Sequence, residues 1–170
     1  MSGISEASGV IQFWTESRAD AERIISVMNE RLEGNGDYCT FVWPDLLEGR
    51  EMPFGKGWHG KTDFCGTGRW EYIFSIEHLG EMLETNELNS IPFVMQFSFA
   101  DFECGQPRLC LCLMTGTHEK DTPLSSIEWE TDRTVDLPVS RENLVSAGFT
   151  GDEAPEIGRE GDEEKGKEKN

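Results

Sequence analysis

Hydrophobic spacing changes its period from two to 3.6 and back, twice within the first hundred residues, which confines the chain to alternating strands and helices. Residues 10–14, V-I-Q-F-W, predict a strand; Ser17 then opens a helix carrying Ala21, Ile24, Ile25, Met28 and Leu32 at helical spacing, and Gly34 closes it. After Asn35-Gly36 the run Y-C-T-F-V-W (38–43) is a second strand, stopped by Pro44. The pattern recurs further on. W-E-Y-I-F (70–74) reads as a strand, Ser75 as an N-cap, and Ile76, Leu79, Met82 and Leu83 as one side of a shorter helix. A third apolar strand starts at Ile91, runs toward Asp101, turns near Cys104 to Pro107 and returns as R-L-C-L-C-L-M, a hairpin. I-E-W-E-T-D (127–132) alternates like an edge strand, and Ser140–Ala147 predicts a capped helix ended by Gly148. Two β-α-β units in one chain predict a ferredoxin-like α+β sandwich, with the hairpin added to the sheet and two helices on one face.

A chain of 170 residues suits one domain, expected over residues 1–149, and the polar run 150–170 predicts a disordered acidic tail. The start has neither a basic n-region nor an apolar h-region, and no segment nears the roughly 18 apolar residues of a membrane span. The five cysteines, an odd number, are expected as reduced thiols of a cytoplasmic protein.

Charge excludes whole classes of function. The net charge is −18, and residues 151–170 hold only eight of the acids against four bases, so most of the excess sits on the body. Such a field repels nucleic acid and anionic lipid and attracts basic protein surfaces. Between Arg69 and Arg108 there is no Lys or Arg, while Glu71, Glu77, Glu81, Glu84, Glu87, Asp101 and Glu103 all fall there. Glu77, Glu81 and Glu84 recur at i, i+4 and i+7, one face of the second helix. Glu128, Glu130 and Asp132 alternate, one side of a strand about 6.6 Å apart. Both spacings approach the separation of phosphates along a nucleic acid. The first helix differs, mixing Asp20, Glu22, Glu30 and Glu33 with Arg18, Arg23 and Arg31, an ordinary salt-bridged exterior.

Pro44 to Arg69 fits no element and predicts a long glycine-rich aromatic loop. Within it, G-K-G-W-H-G-K-T (55–62) spells the phosphate loop G-x-x-x-x-G-K-S/T. That loop needs a strand before it and a helix after it, and Pro53 on one side with Gly66 and Gly68 on the other remove both. A cationic, aromatic segment remains: Lys56, His59, Lys61 and Thr62 are the candidates for a small anion, while Trp58 and Arg69 are typical interface anchors. No C-x-x-C or paired histidine supports a metal, and no cofactor is expected. His59 and Cys65 share the segment as a conceivable base and nucleophile. Asp101 and Glu103 could grip a divalent ion, but a solvated hairpin end accounts for them more simply.

With its two β-α-β units, aromatic loop and G-T-G-R-W (66–70) strand start, the chain resembles the small acidic ferredoxin-like accessory proteins of phages and plasmids. Some members of that class are anti-restriction or anti-CRISPR inhibitors. The resemblance implies a host-defence antagonist acting in the host cytoplasm. The expectation is a non-enzymatic protein-binding module that fills a basic nucleic-acid groove with Glu77, Glu81, Glu84, Glu128, Glu130 and Asp132. The alternative is a small-anion or nucleotide-binding protein, or weak enzyme, using residues 55–62.

Overall fold

The structure, a computed structural model, describes residues 3–32, 39–42, 48–51, 57–103, 105 and 108–149; of 39–42, 48–51, 133 and 134 it describes the backbone. It is an α+β fold built on one antiparallel sheet. The strands are β1 (Ile4–Thr15), β2 (Cys39–Val42), β3 (Glu48–Glu51), β4 (Trp58–Arg69), β5 (Phe93–Glu103), β6 (Arg108–His118) and β7 (Trp129–Leu137). The helices are α1 (Arg18–Leu32), α2 (Ile73–Glu77), α3 (Leu79–Leu83), α4 (Asn86–Asn89) and α5 (Arg141–Ser146), with a 3-10 turn at Leu124–Ser126. Strand order is β2-β4-β1-β5-β6-β7, and β3 lies beside β2 on the same side of β4. Because every adjacent pair is antiparallel, β1 and β2 run the same way with β4 between them, and β4 and β5 run the same way with β1 between them.

Alternation along β1 sets the two faces. Ala7, Ile11, Phe13 and Thr15 are buried under the helices, while Val10, Gln12 and Trp14 face the other way. Facing the same core are Phe64 from β4, Phe93, Met95, Phe97 and Phe99 from β5, and Cys110, Cys112 and Met114 from β6. The helix α1 is seeded by the Ser17 hydroxyl, which accepts the Asp20 N–H at 3.2 Å. It buries Ala21, Ile24, Val27, Met28 and Leu32 against that core, about 1.5–3 kcal/mol for each large side chain. The short helices add Ile76, Leu79, Leu83 and Leu88. Among the described residues, the opposite face is covered at one end, where Leu144 of α5 and Phe149 pack on Ala100, Phe102 and Leu109. Ser140 caps α5 by accepting the Asn143 N–H at 3.1 Å, as its sequence predicts.

Two expectations fail here. Residues 44–69 do not form a long loop: β3 and all of β4 lie within them, and β4 pairs along its whole length with β1. Its glycines conceal the pattern. Trp58, Gly60, Thr62, Phe64, Gly66 and Gly68 occupy alternate positions across from Thr15 to Ser5, so the glycines stand where core residues would. A Cβ on Gly60 would lie 2.1 Å from the Phe13 ring, and one on Gly68 2.4 Å from the Ser75 hydroxyl, so each gives up its side chain to a neighbour's bulk. The run 70–74 is correspondingly not a strand. Trp70 turns the chain at a φ of 65°, its N–H donating to the Gly3 carbonyl, and Ser75 sits inside α2 instead of capping it.

Candidate functional site

The acids of the central segment do not share a single helix. The helix breaks at His78, whose Nδ1 lies 3.8 Å from the Glu81 carboxylate, and again at Thr85, whose hydroxyl caps α4 by accepting the Leu88 N–H at 3.2 Å. Glu77, Glu81 and Glu87 are exposed. Glu84 is half-buried and its carboxylate accepts the Ser125 N–H at 3.0 Å, so it is partly spent within the fold. The expected row of three becomes Glu77 and Glu81, with Glu84 as a brace.

That brace joins the helices to the connection between β6 and β7. Asn89, ending α4, accepts the Asp121 N–H at 2.7 Å. His118, buried at the end of β6, sets one ring nitrogen 2.6 Å from the Ile91 carbonyl and the other 2.8 Å from the Thr122 carbonyl, clamping the same connection from below. Glu119 and Asp121 are therefore carried beside the helical acids, exposed, and Lys120 stands between them.

The connection leads into β7. Trp129 turns inward and meets the Phe97 ring edge-on at 5.7 Å, and Glu128 and Glu130 on either side point outward. They line a cleft of about 360 Å³ with Glu119, Thr115 and Thr117. Asp132 does not continue the row: Leu113 pairs with Arg133 and Met114 with Thr131, so Asp132 is the extra residue of a bulge. The sequence carries no signal for that bulge. Glu128, just before β7, and Glu130 within it line one cleft, and Asp132 does not join them.

The remaining candidates divide between the two faces. Trp58 is half-buried against the core with the Arg18 guanidinium 5.7 Å over its ring, a packing role. Arg69 is exposed at the end of β4. His59 stacks on Trp14 at 5.1 Å and contacts Gln12 at 3.0 Å on the face away from the main helices. Lys61 is exposed on that face, opposite Gln12, but Thr62 pairs with Ile11 on the core side, and Lys56 lies outside the described residues. Strand alternation thus keeps Lys61 and Thr62 from converging on one phosphate. His59 and Cys65 are six residues apart along one strand, about 20 Å, and do not meet.

Asp101 is the residue whose position the sequence misplaced most. It lies in β5 with 4% of its surface exposed, not at a solvated hairpin end. One carboxylate oxygen accepts the Tyr72 N–H at 2.9 Å and the other has no hydrogen-bond partner. Burial, aided by the nearby Glu71 and Glu103 charges, raises its pKa from 3.8 to about 6 against the pull of the Tyr72 hydrogen bond; the neighbouring Ser5 hydroxyl donates to the Trp70 carbonyl. Across the strand boundary lies Cys110, whose thiol is lowered chiefly by a hydrogen bond with Cys112. Both thiols are reduced and buried, and Arg108 ties this end together by reaching Glu71 at 2.6 Å and Asp136 at 3.5 Å. Among the described residues, no three His, Cys, Asp or Glu side chains are placed to hold a metal ion.

No helix among the described residues is long and apolar enough to cross a membrane. No protein-family model matches the chain, and no match is found among curated proteins or solved structures.

Proposed function

We propose that this protein is a binding module that docks an acidic band on a basic protein surface of the kind that normally holds DNA or RNA, and so acts as an inhibitor of a nucleic-acid-binding protein. The carrying observation is the pair of hydrogen bonds from Ser125 to Glu84 and from Asp121 to Asn89, which join the helical acids to those of the β6–β7 connection. Glu77, Glu81, Glu87, Glu119, Asp121, Glu128 and Glu130 then belong to neighbouring, exposed elements, and from Glu71 to Asp132 the sequence holds two Lys or Arg, Arg108 and Lys120. Arg108 is committed to Glu71 and Asp136. A surface of one sign favours fast encounter with a surface of the other and is sensitive to salt. The scaffold fits this reading: the order β2-β4-β1-β5 under α1 to α4 is the one a ferredoxin-like core would take, with β6 and β7 added at one edge. A host-defence enzyme of phage or plasmid biology is the target class that the sequence resemblance favours.

The test is capture of partners from the native cell by the wild-type chain and by a Glu77→Lys, Glu81→Lys, Glu130→Lys variant. All three side chains are exposed, so the variant should fold as the wild type does. Partners retained by the wild type should bind nucleic acid in competition with it, lose affinity steeply as salt rises, and be absent from the variant's capture. Binding that survives both charge reversal and high salt would sink the proposal.

A further inference from the structure

The free edge of β7 carries a more specific mode of docking, which rests on the reading above. The sheet ends at β7, and among the described residues no strand pairs with its outer side, so alternate N–H and C=O groups of Trp129–Leu137 project from the sheet without a ladder partner. A free strand edge templates the addition of another strand. The acids decide which strand. Glu128 and Glu130 lie toward the cleft that Glu119, Thr115 and Thr117 complete, and Asp132 and Asp136 are also exposed along β7. Two copies of this edge placed side by side would bring carboxylates within about 5 Å of one another, which disfavours self-pairing. An incoming strand bearing Lys or Arg at alternate positions would instead set its cations at that same distance from Glu130, with stems long enough to reach the 360 Å³ cleft. The bulge at Asp132 interrupts the register, so the regular stretch available before it is short, Trp129–Thr131.

We propose that β7 accepts an extended basic segment of a partner protein as an added antiparallel or parallel strand, its Lys or Arg side chains entering the acid-lined cleft at Glu119, Glu128 and Glu130.

The test uses two synthetic nonapeptides of equal charge, one alternating lysine and valine and one with prolines replacing two of its valines. Amide hydrogen exchange of the full chain is followed by NMR, and affinity is measured for each peptide. The alternating peptide should slow exchange at the outward-facing amides among residues 129–131, and Glu130→Gln should weaken it up to about fivefold, as for an exposed ion pair. The proline peptide, unable to donate a ladder, should bind at least tenfold more weakly. Equal affinity for the two peptides, or protection confined to α2–α4, would overturn strand addition while leaving a purely electrostatic acidic band standing. Loss of binding by the Glu77→Lys, Glu81→Lys, Glu130→Lys variant to a natural partner, with equal affinity for the two peptides, would separate the two readings in the same way.

Discussion

Asp101→Asn removes one charge from the most buried carboxylate described, and its consequence can be worked as a function of pH. With 4% of its surface exposed and one oxygen unpartnered, the ionised side chain is held out of water with only the Tyr72 N–H to compensate. Its pKa is raised from 3.8 to about 6 in the fold. The folded carboxyl therefore keeps its proton to higher pH than the unfolded one. Between about pH 4 and 6 the folded state binds more protons, so the contribution to stability is greatest at low pH, falls as pH rises through 6, and levels off above it. The full difference is about 3 kcal/mol, of which about 1.4 kcal/mol falls between pH 5.0 and 7.5, a window that stays above the sequence isoelectric point of 4.4. Asparagine keeps a carbonyl for the Tyr72 N–H but does not titrate. Urea unfolding of both proteins at the two pH values, followed by circular dichroism, isolates the effect, because every other carboxylate contributes equally to both. The wild type should lose about 1.4 kcal/mol relative to Asp101→Asn on going from pH 5.0 to 7.5, a midpoint shift of roughly 0.7 M at an m-value near 2 kcal/mol/M. Parallel profiles would refute the reasoning. A wild type that gained on the variant as pH rose would show that the Tyr72 hydrogen bond outweighs burial.

Gly60→Ala should cost roughly 1–3 kcal/mol, read as a lower urea midpoint, because its Cβ would enter the Phe13 ring, and no rotation of a fully buried ring makes room. Ser140→Ala should cost about 1 kcal/mol through loss of the α5 cap and should raise hydrogen exchange at Asn143 first. Lys61→Ala with Thr62→Ala should leave the heat of mixing with Mg-ATP unchanged in calorimetry, since the two side chains lie on opposite faces of β4. A binding isotherm that the double variant abolishes would restore the nucleotide reading. Glu77→Lys and Glu81→Lys should each stay within about 0.5 kcal/mol of the wild type in thermal unfolding, as exposed substitutions do.

Periodicity was enough to find most of the elements. Ser17 to Leu32, the β5–β6 hairpin and the Ser140 cap were legible because each signal is local: a cap, a heptad-like stripe, a turn between apolar runs. The strand β4 was not. Its inward positions hold three glycines and a threonine beside Trp58 and Phe64, and a glycine counts as a breaker until the partner that fills its space is known. The acidic face suffered the same way. Spacing at i, i+4 and i+7 assumes one unbroken helix, and the breaks at His78 and Thr85 come from Leu79, Leu83 and Leu88 turning toward the core.

By itself the sequence determined the composition of the surface: a body strongly negative, with a long stretch bare of cations, is negative in any fold that exposes its charges. It also determined β1, α1, the β5–β6 hairpin and the α5 cap, where period and capping follow from local spacing. Tertiary structure decided which acids became neighbours. Glu84 and Asp101 were drawn inward by hydrogen bonds to distant backbone, Glu119 and Asp121 were carried beside the helices by Asn89 and Ser125, and a bulge removed Asp132 from its row. The bulge aside, these outcomes depend on contacts between residues 29 to 41 positions apart, made where the core leaves a backbone donor in need of an acceptor, and no spacing rule along the chain encodes them.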